Sequence, residues 1–172
     1  MPWKKFAATA CVFALSAAAA PAANVSFLAI DVGASQGEPG ARNSTQWENA
    51  PGAGHSTQWE NALMEVFFDL GHIVSNAPRM QIQGLDVPEG LPPEALSLYE
   101  EARAGHSHYF LVAIVRYPER DVSLRLFGAR EREPELIAET IHPGASGLGT
   151  NEENERMRSA ARAIAALLGS QR

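Results

Sequence analysis

The five histidines of the chain are the first residues that could do chemistry. His106 and His108 are two positions apart, a spacing that can place two imidazole rings on one side of a strand, where His55, His72 or His142 could join them around a metal ion. The pair lies at a predicted helix-to-strand turn, where polar residues are expected in any case. We therefore predict no metal and no cofactor, and we retain His106 and His108 as candidate binding residues.

A serine in a glycine-rich turn is the second candidate. Residues 33–37 read GASQG and match the G-x-S-x-G pattern of a nucleophile elbow, which must follow a strand and open a helix. A strand is predicted before them, but Pro39-Gly40 follows instead of a helix, and no earlier strand can supply the usual oxyanion hole. We therefore predict that the protein is not an enzyme. A small periplasmic serine hydrolase that uses Ser35 with His72 or His106 stays open as an alternative, as does a carrier of a metal or small ligand.

The chain contains the same heptapeptide, STQWENA, at 44–50 and again at 56–62. The second copy leads into an apolar helical pattern, so that Thr57 and Glu60 have the spacing of a capping box. The first copy leads into Pro51-Gly52, where a helix cannot continue. These observations predict a 12-residue tandem duplication whose first copy lies in a loop.

The surroundings of the first copy are rich in glycine, proline and polar residues. Such a composition buries too little apolar surface to offset its ordering entropy, so we predict a flexible loop over 34–54. A tryptophan displayed on a loop is typical of binding hot spots. Trp47 is therefore a further candidate binding residue.

The amino-terminal residues have the features of a secretory signal peptide. Lys4-Lys5 precede an uncharged run from Phe6 to Ala20, and small residues follow it. The run is shorter than the roughly 20 residues that cross a bilayer. We predict a signal peptide over 1–23, a single domain over 24–172 without a membrane span, and a periplasmic or secreted location. The only cysteine, Cys11, lies in the signal and lacks a lipid box, so the mature chain has no thiol.

The charges of the chain argue against two classes of partner. The net charge is −6 at pH 7, and the mixed run Arg130-Glu-Arg-Glu133 is interpreted as solvated charge. Nucleic acids and anionic lipid headgroups are bound by clustered basic side chains. We expect no such cluster, and hence neither partner.

The hydrophobic periodicity predicts an α+β fold with the order β-α-β-α-β-β-β-α, closed as one mixed sheet with helices mainly on one face. The predicted strands are 25–32, 72–76, 108–117, 122–128 and 135–141, and the helices begin near 57, 92 and 150.

With this order, the chain resembles the periplasmic domain of the curli-secretion lipoprotein family, the penicillin-binding-protein activator lipoproteins and the amino-terminal domain of the Tol-system propeller protein. The resemblance is carried by Phe27-Leu-Ala-Ile-Asp31, by Phe67-Phe-Asp-Leu-Gly-His-Ile-Val74, and by Ala102-Arg-Ala-Gly105 leading to Tyr109-Phe-Leu-Val-Ala-Ile-Val115. Unlike these families, the chain has no lipid box and no long hairpins. The resemblance implies a non-catalytic binding or assembly module of the bacterial envelope, with an envelope protein as its partner and no catalytic residues to transfer.

Overall fold

The computed structural model of the chain describes residues 22–33, 53–82, 89–117, 119–144 and 150–170. The predicted fold class is confirmed, because three α-helices pack on one mixed six-stranded sheet. The elements are β1 (Asn24–Val32), α1 (Ala53–Asp69), β2 (Ile73–Asn76), β3 (Met80–Ile82), α2 (Leu96–Ala104), β4 (Tyr109–Arg116), β5 (Asp121–Gly128), β6 (Glu135–His142) and α3 (Thr150–Ser170).

The neighbouring strands β1 and β4 are nearly continuous apolar runs. β1 and β4 lie side by side in the order β2-β1-β4-β5-β6, and both are buried along almost their whole length. A strand that is covered on both faces loses the alternation of polar and apolar residues, which is why both sequences are so uniformly apolar.

The parallel half of the sheet explains where the helices lie. The chain steps from β1 to β2 in one direction, and from β3 back across β1 to β4 in the other. Because such crossovers are right-handed, two steps in opposite directions place their helices on opposite faces. Accordingly, α1 packs on the face of Phe27 and Leu111, and α2 packs on the face of Leu28 and Val112.

The third helix returns to the face that α1 covers. Met157, Ala161 and Ile164 of α3 join the same core as α1, and Arg158 contacts both carboxylate oxygens of Glu65 at 2.8 Å. Two of the three helices therefore share one face, as predicted. The other half of the sheet is the predicted antiparallel meander, in which β4 pairs with β5 and β5 with β6.

The start of α1 differs from the prediction. The helix begins at Ala53, so Thr57 lies inside it and does not cap it, and the predicted loop ends two residues early. Thr57 and Glu60 instead bind the Arg79 guanidinium, whose nitrogen lies 2.7 Å from Oγ1 of Thr57 and 3.1 Å from Oε2 of Glu60. The capping-box interpretation is wrong because α1 begins four residues before Thr57. The rest of the predicted loop, 34–52, with the first copy of the repeat, lies outside the described residues.

One edge of the sheet is interrupted. β2 pairs with the first half of β1 and β3 with its last three residues, so that together they occupy one side of β1. Between them the N–H of Ala77 donates to the carbonyl of Phe27 at 2.8 Å, and Pro78 follows, which has no N–H to donate. The short strand β3 was not predicted, since its three residues are too few for an alternation to be recognised.

Candidate functional site

The turn that ends α2 holds His106 in a conformation that histidine rarely adopts. The N–H of His106 donates to the carbonyl of Arg103 at 3.1 Å, and the N–H of Ser107 donates to that of Ala102 at 3.0 Å, which is the Schellman pattern. The pattern needs a left-handed residue, usually glycine, at the position of His106. Gly105 lies one position too early, so His106 takes a φ of 61°. Left-handed backbone costs a residue with a Cβ about 1–2 kcal/mol.

Asn24, the first residue of β1, forms two hydrogen bonds with the second histidine, His108. The N–H of His108 donates to the carbonyl of Asn24 at 2.8 Å, and the N–H of Asn24 donates to Nδ1 of His108 at 2.9 Å. Because Nδ1 accepts a hydrogen bond, the neutral ring carries its hydrogen on Nε2. The Nε2–H of His108 is therefore the donor that this ring can offer to a ligand.

The antiparallel pairing of β4 with β5 brings an arginine to the same place. Tyr109 pairs with Gly128, so the next residues meet as well, and the N–H of Ala129 donates to the carbonyl of His108 at 3.0 Å. The Tyr99 hydroxyl, 2.8 Å from the carbonyl oxygen of Gly128, ties this turn to α2. Arg130 follows directly and lies beside the two histidines.

These groups surround a surface depression of about 370 Å³, which we call the basic depression. Four of its six lining residues are basic and none is acidic, and within the described ranges neither of its arginines forms an ion pair. The lining residues are Arg103, His106, Ser107, His108, Ala129 and Arg130.

The structure thus brings the predicted binding residues His106 and His108 together. Their arginine neighbours were missed, because two arginines lie beside the histidines where no basic cluster was expected, although Arg130 is exposed as its interpretation as solvated charge predicts. The reason is that Arg103 and Arg130 are far apart in sequence and meet only through the turn after α2 and the β4–β5 register. A register assigned to the predicted meander could have indicated this contact. Trp47, the third predicted residue, lies outside the described residues.

The remaining histidines are dispersed. His72 accepts a hydrogen bond on Nδ1 from the N–H of Ala23, and His55 and His142 flank Trp59 at the other end of the sheet. Where side chains are described, no three histidine, aspartate or glutamate residues form a group that could hold a metal ion. Ser35, the nucleophile of the alternative hydrolase hypothesis, is not among the residues that the structure describes.

A second polar cluster lies under the first turns of α1, at the carboxyl end of β1. Ser56 donates to Oδ2 of Asp31 at 3.1 Å, whereas the buried Oδ1 has no hydrogen-bond partner in the described parts of the chain. Burial raises the pKa of Asp31, while Ser56 and Arg79 favour its charged form, and burial also raises the pKa of Tyr117 beside it. Through the hydrogen bond of Ser56 to Asp31, this cluster joins α1 to the carboxyl end of β1.

Comparisons with known proteins do not assign the chain to a family. No protein-family model and no curated protein matches the chain. Two structures of the PelC dodecamer from Paraburkholderia phytofirmans are 15% and 14% identical to it, with TM-scores of 0.43 and 0.41, and cover 85% and 88% of this chain and 89% and 90% of their own. The hypothetical protein CT253 from Chlamydia trachomatis is 12% identical, with a TM-score of 0.37, over 87% of this chain and 96% of its own.

None of these three structures belongs to the lipoprotein and propeller families named above, so that resemblance stays a prediction. Each helix in the described ranges is too short or too polar to span a bilayer.

Proposed function

We propose that the protein is an exported, non-catalytic binding module of the bacterial cell envelope, and that the basic depression holds an anionic group of its partner. The supporting observation is that Arg103, His106, His108 and Arg130 converge on one concave surface of a chain whose net charge is −6. On a protein with a negative net charge, a local positive potential attracts anions to that one site. Export is supported by the basic and apolar character of residues 1–23.

The chemistry of these side chains suits binding. Each guanidinium of Arg103 and Arg130 presents paired N–H groups that match two oxygens of a carboxylate or phosphate. The Nε2–H of His108 adds a third donor. Arginine does not release its proton near neutral pH, so the two guanidinium groups can hold an anion without transferring a proton to it.

The strained backbone of His106 provides a test of function. Left-handed residues other than glycine are concentrated at functional sites, and glycine is the usual residue in this turn. We expect His106→Gly to stabilise the protein by about 1 kcal/mol and to weaken anion binding. If binding is unchanged, His106 has no part in the site.

Anion binding can be measured by NMR titration of the mature protein with inorganic phosphate and with acetate. We expect amide shifts around 103–108 and 128–130. Arg103→Gln and Arg130→Gln should each weaken binding about tenfold, because a charge-assisted hydrogen bond contributes about 1.5–3 kcal/mol. The matched control is Arg162→Gln, which removes an exposed arginine of α3 that pairs with Glu155 and should leave binding unchanged.

Two results would overturn the proposal. The first is the absence of anion-dependent shifts at the basic depression. The second is stoichiometric labelling by a fluorophosphonate probe that is lost in Ser35→Ala, since that would assign a serine hydrolase. Crosslinking in the native envelope, followed by mass spectrometry, would identify the partner.

A further inference from the structure

Three large apolar side chains are exposed at the same end of the molecule as the basic depression. Phe68 and Leu70 lie at the carboxyl end of α1, and Ile73 is the first residue of β2. Their exposed fractions are 68%, 54% and 63%. We refer to these three residues as the apolar tip.

The start of β1 fixes the spacing between the apolar tip and the basic depression. Asn24 pairs with Ile73 on one side and accepts a hydrogen bond from the N–H of His108 on the other. Neighbouring strands are about 4.8 Å apart, so the backbones of Ile73 and His108 are about 10 Å apart. One flat surface can therefore contact both.

The chain enters the sheet at this same end. Ala23 is buried, and its carbonyl accepts a hydrogen bond from the N–H of Ile73 at 2.9 Å. Only residues 21 and 22 separate Ala23 from the uncharged run that ends at Ala20. Two residues reach no more than about 7 Å. While the uncleaved signal peptide is in a bilayer during export, this end of the domain therefore lies close to the lipid surface.

We propose that this end of the protein docks on a membrane that contains anionic phospholipids, with a phosphodiester headgroup in the basic depression and the apolar tip in the interfacial layer. This proposal rests on the proposed function, because the depression supplies its anion-binding part. Basic and apolar side chains side by side are the combination with which peripheral proteins bind anionic lipid surfaces.

Acidic side chains at this end of the molecule confine the positive charge to the basic depression. Asp69 follows Phe68 directly, and Glu131 follows Arg130, so the end carries no broad positive field. Attachment therefore depends on one headgroup seated in the depression. A lipid surface is inferred as the occupant because the apolar tip lies beside the basic depression, so that a headgroup phosphate and the interfacial layer next to it can be contacted together.

The test is flotation of the mature protein with vesicles of phosphatidylglycerol and phosphatidylethanolamine, compared with vesicles of phosphatidylcholine alone. We expect binding only to the anionic vesicles and a decrease at high salt, which screens charge. Phe68→Ser and Ile73→Ser should each reduce vesicle binding at least about fivefold and leave the titration with inorganic phosphate unchanged.

The matched control is Ile141→Ser. Ile141 is 67% exposed on the other edge strand, β6, and pairs with Ser123 at the opposite end of the sheet. This variant should bind vesicles as the unmodified protein does. Arg103→Gln should reduce both phosphate binding and vesicle binding, the latter about fivefold, since each basic residue near an anionic surface contributes about 1 kcal/mol.

These measurements separate the two proposals. If the unmodified protein does not bind phosphate, the proposed function is refuted, and the headgroup site is refuted with it. If phosphate binds but anionic vesicles do not, or if Ile73→Ser behaves like Ile141→Ser, the membrane proposal is wrong and anion binding remains. Equal binding to phosphatidylcholine vesicles would show that anionic phospholipids are not required and would refute the proposed docking on an anionic membrane. Crosslinks from the apolar tip to a protein, without vesicle binding, assign this end to a protein partner.

Discussion

Replacing Trp59 with alanine should lower the free energy of unfolding by about 3–5 kcal/mol, the range for truncation of a buried aromatic side chain. The indole is only 3% exposed, and its ring centroid lies 5.6 Å from that of His142. Its N–H donates to Nε2 of His55 at 3.3 Å, so the change also leaves a buried acceptor without its donor. The same change at Trp47, which has the same neighbours in sequence, should cost less than about 0.5 kcal/mol if Trp47 lies in a loop.

A second variant separates packing from hydrogen bonding. Trp59→Phe retains an aromatic ring but removes the N–H, so we expect it to cost about 1–3 kcal/mol, the penalty for an unsatisfied buried partner. If Trp59→Phe lowers the free energy of unfolding as much as Trp59→Ala does, the hydrogen bond with His55 contributes more to stability than the packing of the ring.

Urea unfolding of the mature protein, followed by far-ultraviolet circular dichroism, gives these free energies. Trp3 lies in the predicted signal peptide, so each alanine variant would keep a single tryptophan whose fluorescence reports on one copy of the repeat. If the alanine variants of Trp59 and Trp47 lower the free energy of unfolding by similar amounts, both copies of the repeat are structural, and the prediction that the first copy lies in a loop is wrong.

Three further predictions concern stability and processing. Phe67→Ala should cost about 3–5 kcal/mol and Phe68→Ala less than about 1 kcal/mol in the same assay, because Phe67 is fully buried and Phe68 is 68% exposed; equal costs would mean that the assigned helix face is wrong. Stability should decrease as the pH falls below about 6.5, because burial lowers the pKa of His55, His72 and His142, so that only the unfolded chain gains these protons. Urea titrations between pH 7 and 5 measure this, and a constant midpoint would contradict it. Mass spectrometry of the exported protein should give Ala23 or Asn24 as its first residue, because Ala20 and Ala22, or Pro21 and Ala23, occupy the positions that the signal peptidase reads, whereas an intact Met1 would argue against this cleavage site.

The sequence predicts the elements well wherever side-chain burial is periodic. The stripe Trp59, Ala62, Leu63, Val66 and Phe67 is buried as its helical spacing predicts, and the meander follows from short polar turns between apolar runs. Leu70, the next member of the stripe, is exposed because α1 ends at Asp69. Local patterns thus determine which face is buried, but they are less reliable at helix ends.

Contacts between distant residues were not predictable in the same way. Thr57 and Glu60 have capping spacing, yet their partner is Arg79, which no local rule identifies. The basic depression likewise requires the turn after α2 and the end of β5 to meet. The sequence indicated its two histidines through their spacing, whereas its arginines depend on the register of the sheet.

The interrupted edge formed by β2 and β3 affects what happens when two copies of the protein meet. An exposed edge with an isoleucine at its start is a template on which a strand of another molecule could add and begin an aggregate. Here the template ends after the four residues of β2, because Pro78 offers no N–H to an incoming strand. The longer edge, β6, begins with the exposed Glu135, which would repel the same residue of a second copy. The strand β2 can therefore expose Ile73 to a partner without becoming a site at which copies of the protein polymerise.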